Sequence, residues 1–166
     1  MNLSDITNGS AVFVDTNILL YARTGQSRQC QEFLRRCKDG KVTGMISELV
    51  VAEFCHRRMI QEFQSSGWAG SNPVRALSQN PDPVRKMSVY ADDVRGLLGG
   101  ELSWNPATQS DFFVALELQK QHGLMTNDSL ILAVTRRLGL TEIATADSHF
   151  DPIAGLSVYK PDDLKV

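Results

Sequence analysis

Two short apolar runs that end abruptly on an aspartate constrain this chain more than any other feature. Ala11–Val14 is apolar and β-branched and stops at Asp15, and Glu142–Ala146 stops in the same way at Asp147. Runs of this length are too short for core helices and read as buried strands. Around them the spacing becomes helical. Asn17–Ala22 opens a short helix, and in Ser27–Asp39 the residues Cys30, Phe33, Leu34 and Cys37 share one stripe, ended by Gly40. Lys41–Ile46 reads as a second strand. Ser47 then caps a helix to about Gln64, with Val50, Val51, Phe54, Cys55, Met59 and Phe63 as its stripe.

The segment Ser65–Pro83 is rich in Ser, Gly, Asn and Pro and reads as a connection, with one helical turn at Val74–Leu77. Further elements follow: a helix at Val84–Leu98, a strand at Glu101–Trp104 and a helix at Thr108–Gln121. A helix capped by Thr126 or Asn127 runs to Leu138, and a last strand covers Leu156–Tyr159. Strands alternating with helices predict an α/β fold, with a parallel sheet covered on both faces. Ligands of such sheets bind beyond the carboxyl ends of the strands.

The 166 residues suit a single domain over 1–166, with a helical excursion at about 65–101. A hydrophobic content of 42% and a net charge of −2 exclude a disordered chain. No apolar run approaches the roughly 20 residues that cross a bilayer, and MNLSDITNGS lacks the basic and apolar regions of a signal peptide. A cytoplasmic protein with no membrane partner is expected. Three cysteines without C-x-x-C spacing read as reduced core thiols, and His56, His122 and His149 read as structural or surface residues. Basic pairs such as Arg35–Arg36, Arg57–Arg58 and Arg136–Arg137 read as solvated helix faces, so charge is neutral evidence about nucleic acid.

The acids carry more information. Asp15 and Asp147 emerge at the same sheet edge if both strands are parallel, Asp128 opens an apolar helix, and Glu53 lies within the apolar stretch Leu49–Cys55. Each aspartate alone reads as a helix cap, and Glu53 alone as the polar edge of its helix. Caps do not explain three aspartates together with a half-buried glutamate. Carboxylates that converge repel, so they share protons or hold a cation. Oxygen donors without His or Cys select Mg²⁺ or Mn²⁺.

Four strings, VDTNILLYA (Val14–Ala22), SELVVAEF (Ser47–Phe54), TNDSLILAVTRRLG (Thr126–Gly139) and ATADSHFD (Ala144–Asp151), resemble the PIN domain, most closely the VapC-type toxin nucleases. The resemblance runs from about Ala11 to Pro161. It implies a three-layer α/β/α sandwich and an endoribonuclease acting on single-stranded RNA with Mg²⁺ or Mn²⁺. It further implies a homodimer and a small antitoxin partner. On it, Asp15, Glu53, Asp128 and Asp147 would be the metal-binding acids. Thr16, Asn17 and Thr145 would orient them or a water, and Asp151 would be a further supporting acid. Glu48 competes with Glu53, but its place in the first helical turn suits the helix dipole.

Other classes fit less well. A haloacid-dehalogenase-type phosphotransferase needs a second acid two residues after the first, where this chain has Asn17. A phospho-receiver needs its acids in another arrangement, and a catalytically inert PIN module, binding RNA or protein, has no use for four intact acids.

Overall fold

The computed structural model describes residues 1–68, 72–100 and 102–164. The described elements run β1 (Ala11–Val14), α1 (Thr16–Arg23), α2 (Arg28–Lys38), β2 (Thr43–Ile46), α3 (Glu48–Ser65), α4 (Pro73–Gln79), α5 (Pro81–Lys86) and α6 (Val89–Leu98). They continue with β3 (Ser103–Trp104), α7 (Gln109–His122), α8 (Thr126–Arg137), β4 (Glu142–Ala144) and β5 (Ser157–Tyr159).

All pairings in the sheet are parallel, in the order β3-β2-β1-β4-β5. From β1 the chain steps outward to β2 and β3, then returns to lay β4 on the other side of β1. The strand order therefore reverses between β1 and β4, where an open parallel sheet leaves its crevice. Successive strand residues face opposite sides, yet Val12, Phe13 and Val14 are all fully buried. Both faces of the sheet are thus covered, as the α/β/α reading requires. The stripe of α2 goes inward as expected, with Cys30, Phe33, Leu34 and Cys37 buried. Gly44 in β2 admits this packing, because a Cβ there would stand 2.4 Å from Leu102 and 3.0 Å from Cys37 Sγ.

Strand boundaries differ from expectation by a few residues. Lys41 and Val42 precede β2, β4 ends at Ala144 rather than Ala146, and Glu101 lies outside the described residues. The larger difference is in the middle segment. Its Asn-Pro pairs do not break structure. They start it. Asn72 accepts from Arg75 N–H with Pro73 at the first helical position, and Asn80 accepts from Asp82 N–H with Pro81 in the same place. Proline there loses no hydrogen bond and has the right φ.

The helix expected over Val84–Leu98 is two helices, divided at Met87 and Ser88. The division has a partner in α3. The buried Glu62 carboxylate accepts the N–H groups of Ser88, Val89 and Tyr90 at 3.0, 3.1 and 2.8 Å, capping α6 from another helix. Ser88 itself makes no side-chain cap. Replacing Glu62 by Ala is expected to lower unfolding stability by about 2 kcal/mol, the scale of a lost cap with charged hydrogen bonds. Urea denaturation measures it, and an unchanged midpoint would mean that water caps α6 equally well.

Candidate metal centre

The site is built where β1 and β4 end. Val14 pairs with Ala144, and Asp15 N–H continues the ladder to Ala144 O at 3.0 Å. The chain then turns into α1 with Asp15 as the N-cap, Oδ1 accepting Thr16 N–H at 2.6 Å. Its other oxygen accepts from Thr145 Oγ1 and from Asn17 Nδ2, both at 2.6 Å. Asn17 Oδ1 accepts Ala146 N–H at 2.9 Å, and Thr145 Oγ1 accepts Asp147 N–H at 3.0 Å. Thr145 is fully buried. Asn17 and Thr145, both expected to orient the acids, thereby lock the two strand ends around one carboxylate.

Thr16 meets Asp15 through its backbone and α3 through its side chain. Its hydroxyl donates to Val50 O at 3.4 Å and ties α1 to α3, while only its N–H touches Asp15. That tie places Glu53, one turn beyond Val50, near the strand ends. Arg57 Nε lies 3.0 Å from one Glu53 oxygen, and Asn127 Nδ2 from α8 lies 3.4 Å from the other. Asp128 sits in the first turn of α8 but does not cap it. Met125 holds the cap position without a side-chain bond, so neither Thr126 nor Asn127 is the cap. Asp147 caps the 3₁₀ turn Ser148–Phe150 through His149 N–H at 2.8 Å.

The carboxylates converge electrostatically. Burial lifts Asp15 from 3.8 to about 6, against the hydrogen bonds from Thr145 and Thr16 and with help from the charges of Glu53 and Asp128. Asp128 is also raised, first by burial and then by the Asp147 charge, with Glu53 adding to it and His149 opposing it. Capping and convergence therefore coexist: Asp15 and Asp147 do both. Asp151 stands apart, with Lys160 Nζ at 2.7 Å and no contact to the four acids among the described residues.

His149, read from sequence as a structural or surface residue, is exposed and lies beside two of the acids. Its Nδ1 lies 3.1 Å from Asp147 Oδ1 and 3.7 Å from Asp128 Oδ2. One donor atom from each of Asp128, Asp147 and His149 falls within 4.8 Å of the others. The only signal available was its position two residues after Asp147. Glu48 is occupied elsewhere, both oxygens accepting Ala107 N–H at 3.1 and 2.8 Å. One arginine of several basic clusters pairs with an acid of the same chain: Arg35 with Glu32 and Asp39, Arg58 with Asp93, and Arg137 with the buried Asp111. A cavity of about 930 Å³ lies beside α2 near Asn8 and Lys41, which precede β1 and β2, and none of the four acids lines it. No described helix is long and apolar enough to cross a membrane.

The Asp128 and Asp147 oxygens within 4.8 Å of one another, with the buried Asp15 acting on the same site, fit a hard divalent cation such as Mg²⁺ or Mn²⁺. The profile of the PIN domain matches residues 12–156. A comparison with the curated proteins finds no match. Among solved structures, VapBC2 from Rickettsia felis bound to a promoter DNA fragment is similar, with a TM-score of 0.62 and 20% identity over 92% of this chain and 99% of that one. A toxin–antitoxin complex from Klebsiella pneumoniae has a TM-score of 0.56 and 17% identity over 88% and 95%. VapC20 of Mycobacterium tuberculosis, a sarcin–ricin loop cleaving toxin, has 0.55 and 17% over 84% and 92%. At these identities the likeness is one of fold.

Asp15 gives the site a pH signature. With its folded value raised above the unfolded one, the folded protein binds the extra proton between pH 3.8 and about 6. The stability that Asp15 contributes is present below that window and is lost as pH rises through it, on the order of 3 kcal/mol in the metal-free protein. In EDTA, stability of the parent should fall from pH 4 to pH 6.5 more steeply than that of Asp15→Asn. Equal slopes would show that the carboxyl is not perturbed.

Proposed function

The chain belongs to the PIN domain family, and from that premise we propose that it is a metal-dependent endoribonuclease, the toxin of a type II toxin–antitoxin pair. The observation that carries the reading is the pair Asp128 and Asp147, whose oxygens come within 4.8 Å, with Asp15 and Glu53 near enough to act on Asp128 or be acted on by its charge, where the strand order reverses. A bare carboxylate cluster repels phosphate, so the arrangement serves a phosphodiester only with a cation between. Asp15, Glu53, Asp128 and Asp147 would hold Mg²⁺ or Mn²⁺. When bound, the ion supplies charge neutralisation at the phosphate and lowers the pKa of a bound water.

The chain's own residues do the positioning. Thr145 and Asn17 donate to one oxygen of Asp15 and Thr16 N–H to the other, which fixes the carboxylate plane before anything binds. Arg57 and Asn127 hold Glu53 in the same way, from α3 and α8. Asp151 serves at a distance by tethering Lys160 beside the site's last turn. The substrate is RNA, single-stranded or a structured loop of the kind named for VapC20, and the site acts in the cytoplasm.

Two protein partners belong to this reading. The similar complexes are toxin–antitoxin pairs, so a small antitoxin is the first. The second is another copy of the chain. Phe112, Phe113 and Leu116, read from sequence simply as apolar positions of α7, are half-exposed or more, while Ala115 and Leu118 face the core. A helix that is apolar on its outer face as well has an unfilled partner there.

Mn²⁺-dependent cleavage of single-stranded RNA should fall about 100-fold or more in Asp15→Asn and in Asp147→Asn, each with an unchanged far-UV spectrum, and in the parent on EDTA addition. Variants that cleave as fast as the parent would remove the acids from the mechanism. In sedimentation velocity, Phe113→Glu should convert a dimeric parent to a monomer; an unchanged coefficient would acquit α7.

A further inference from the structure

We propose that His149 is a ligand of the same ion, which makes the centre a mixed nitrogen–oxygen site that takes Mn²⁺ in preference to Mg²⁺. This rests on the metal-dependent reading above and adds to it a donor that composition and motif did not supply.

The geometry is that of neighbouring ligands. Two donors at right angles around a small dication, each at about 2.1 Å, stand about 3 Å apart. His149 Nδ1 and Asp147 Oδ1 are 3.1 Å apart, and Asp128 Oδ2 closes the group at 3.7 Å from the same nitrogen. The backbone explains why the ring returns to this place. His149 lies in the 3₁₀ turn that Asp147 caps, and its own N–H donates to Asp147 Oδ1, so ring and amide converge on one carboxylate. The side chain is 64% exposed and packs no core, so its placement serves no burial. Among the described residues, no other histidine joins an acid group of this kind.

The ligand role differs in its consequences from a simple hydrogen bond between ring and carboxylate. Imidazole nitrogen binds the first-row transition ions, Mn²⁺ among them, more readily than it binds Mg²⁺, which keeps to oxygen and water. Loss of a hydrogen bond that merely orients Asp147 weakens both ions alike. Loss of a nitrogen ligand weakens Mn²⁺ selectively.

The experiment uses the full chain with Mn²⁺ alone at pH 7.5 and no RNA, so that neither cleavage nor a nucleobase contributes. Free Mn²⁺ is followed by electron paramagnetic resonance, Mg²⁺ by competition, and the bound ion by electron spin echo modulation. His149→Gln should lower Mn²⁺ affinity about tenfold or more, with Mg²⁺ affinity within about twofold of the parent. The parent should show the modulation of a directly bound ¹⁴N, absent from His149→Gln and replaced by the ¹⁵N pattern when the parent is grown on ¹⁵N-histidine. The isotope arm needs no substitution and so does not depend on how the variant folds. Mn²⁺ bound without nitrogen modulation, or equal losses of both ions in the variant, overturns the ligand role of His149 while leaving a metal centre in place. A parent that binds no Mn²⁺ overturns the metal-dependent reading itself and the ligand role with it.

Discussion

Taking a carboxylate out of water costs several kcal/mol unless donors or a cation replace the water, and this fold places Asp15 in that position at the end of its central strand. Its donors come from both sides of the strand reversal: Thr16 and Asn17 from the turn after β1, Thr145 from the turn after β4. The same three residues tie the ends of β1 and β4 together at the start of α1. A change at Asp15 therefore acts on the join between the two halves of the sheet as well as on the chemistry. The donors do not cancel the burial cost, since the carboxyl stays well above its ordinary value. The residual cost is what a cation would relieve.

The acids of this chain separate into two kinds by what surrounds them. Glu62, Asp111 and Asp163 are each met by several donors, and Glu48 by one that reaches both its oxygens. Three backbone N–H groups meet Glu62, and Ala107 N–H takes both oxygens of Glu48. Thr108 and Arg137 hold Asp111, and Ser27 with Gln29 N–H holds Asp163. These acids cap helices or pin loops, and the Asp111 and Asp163 carboxyls are held below the usual range. Asp15 and Asp128 go the other way, raised by burial and by each other's neighbours. Asp15 has three donors of its own, so the balance of donors against burial, not donor number, separates the two kinds. A carboxylate whose folded surroundings oppose its charge is poised for something the chain does not supply.

Much of this was legible because strand ends and periodicity are local. The run Ala11–Val14 into Asp15, the stripe of α2 and the alternation that gives a parallel sheet all follow from neighbouring residues. The four acids could be picked out because strand ends share an edge in such a sheet. What stayed hidden depends on residues far apart in the chain. The division between α5 and α6 comes with a contact from Glu62, some 26 residues earlier. Asp163 caps α2 across 134 residues. His149 could be placed only once the turn after Asp147 was known to curl its ring back toward Asp128. The Asn-Pro pairs are a different case: the residues were read locally, but as punctuation, when asparagine followed by proline is also a helix start.

The hydroxyl that clamps Asp15 belongs to Thr145, 130 positions later. On the ribosome, at roughly 5–20 residues per second, that interval lasts on the order of 10 s. For that time the nascent chain has its first strand and first acid but no fourth strand beside them, and the centre has nothing to assemble around. A centre built in this order cannot assemble until β4 and the turn that follows it have been translated.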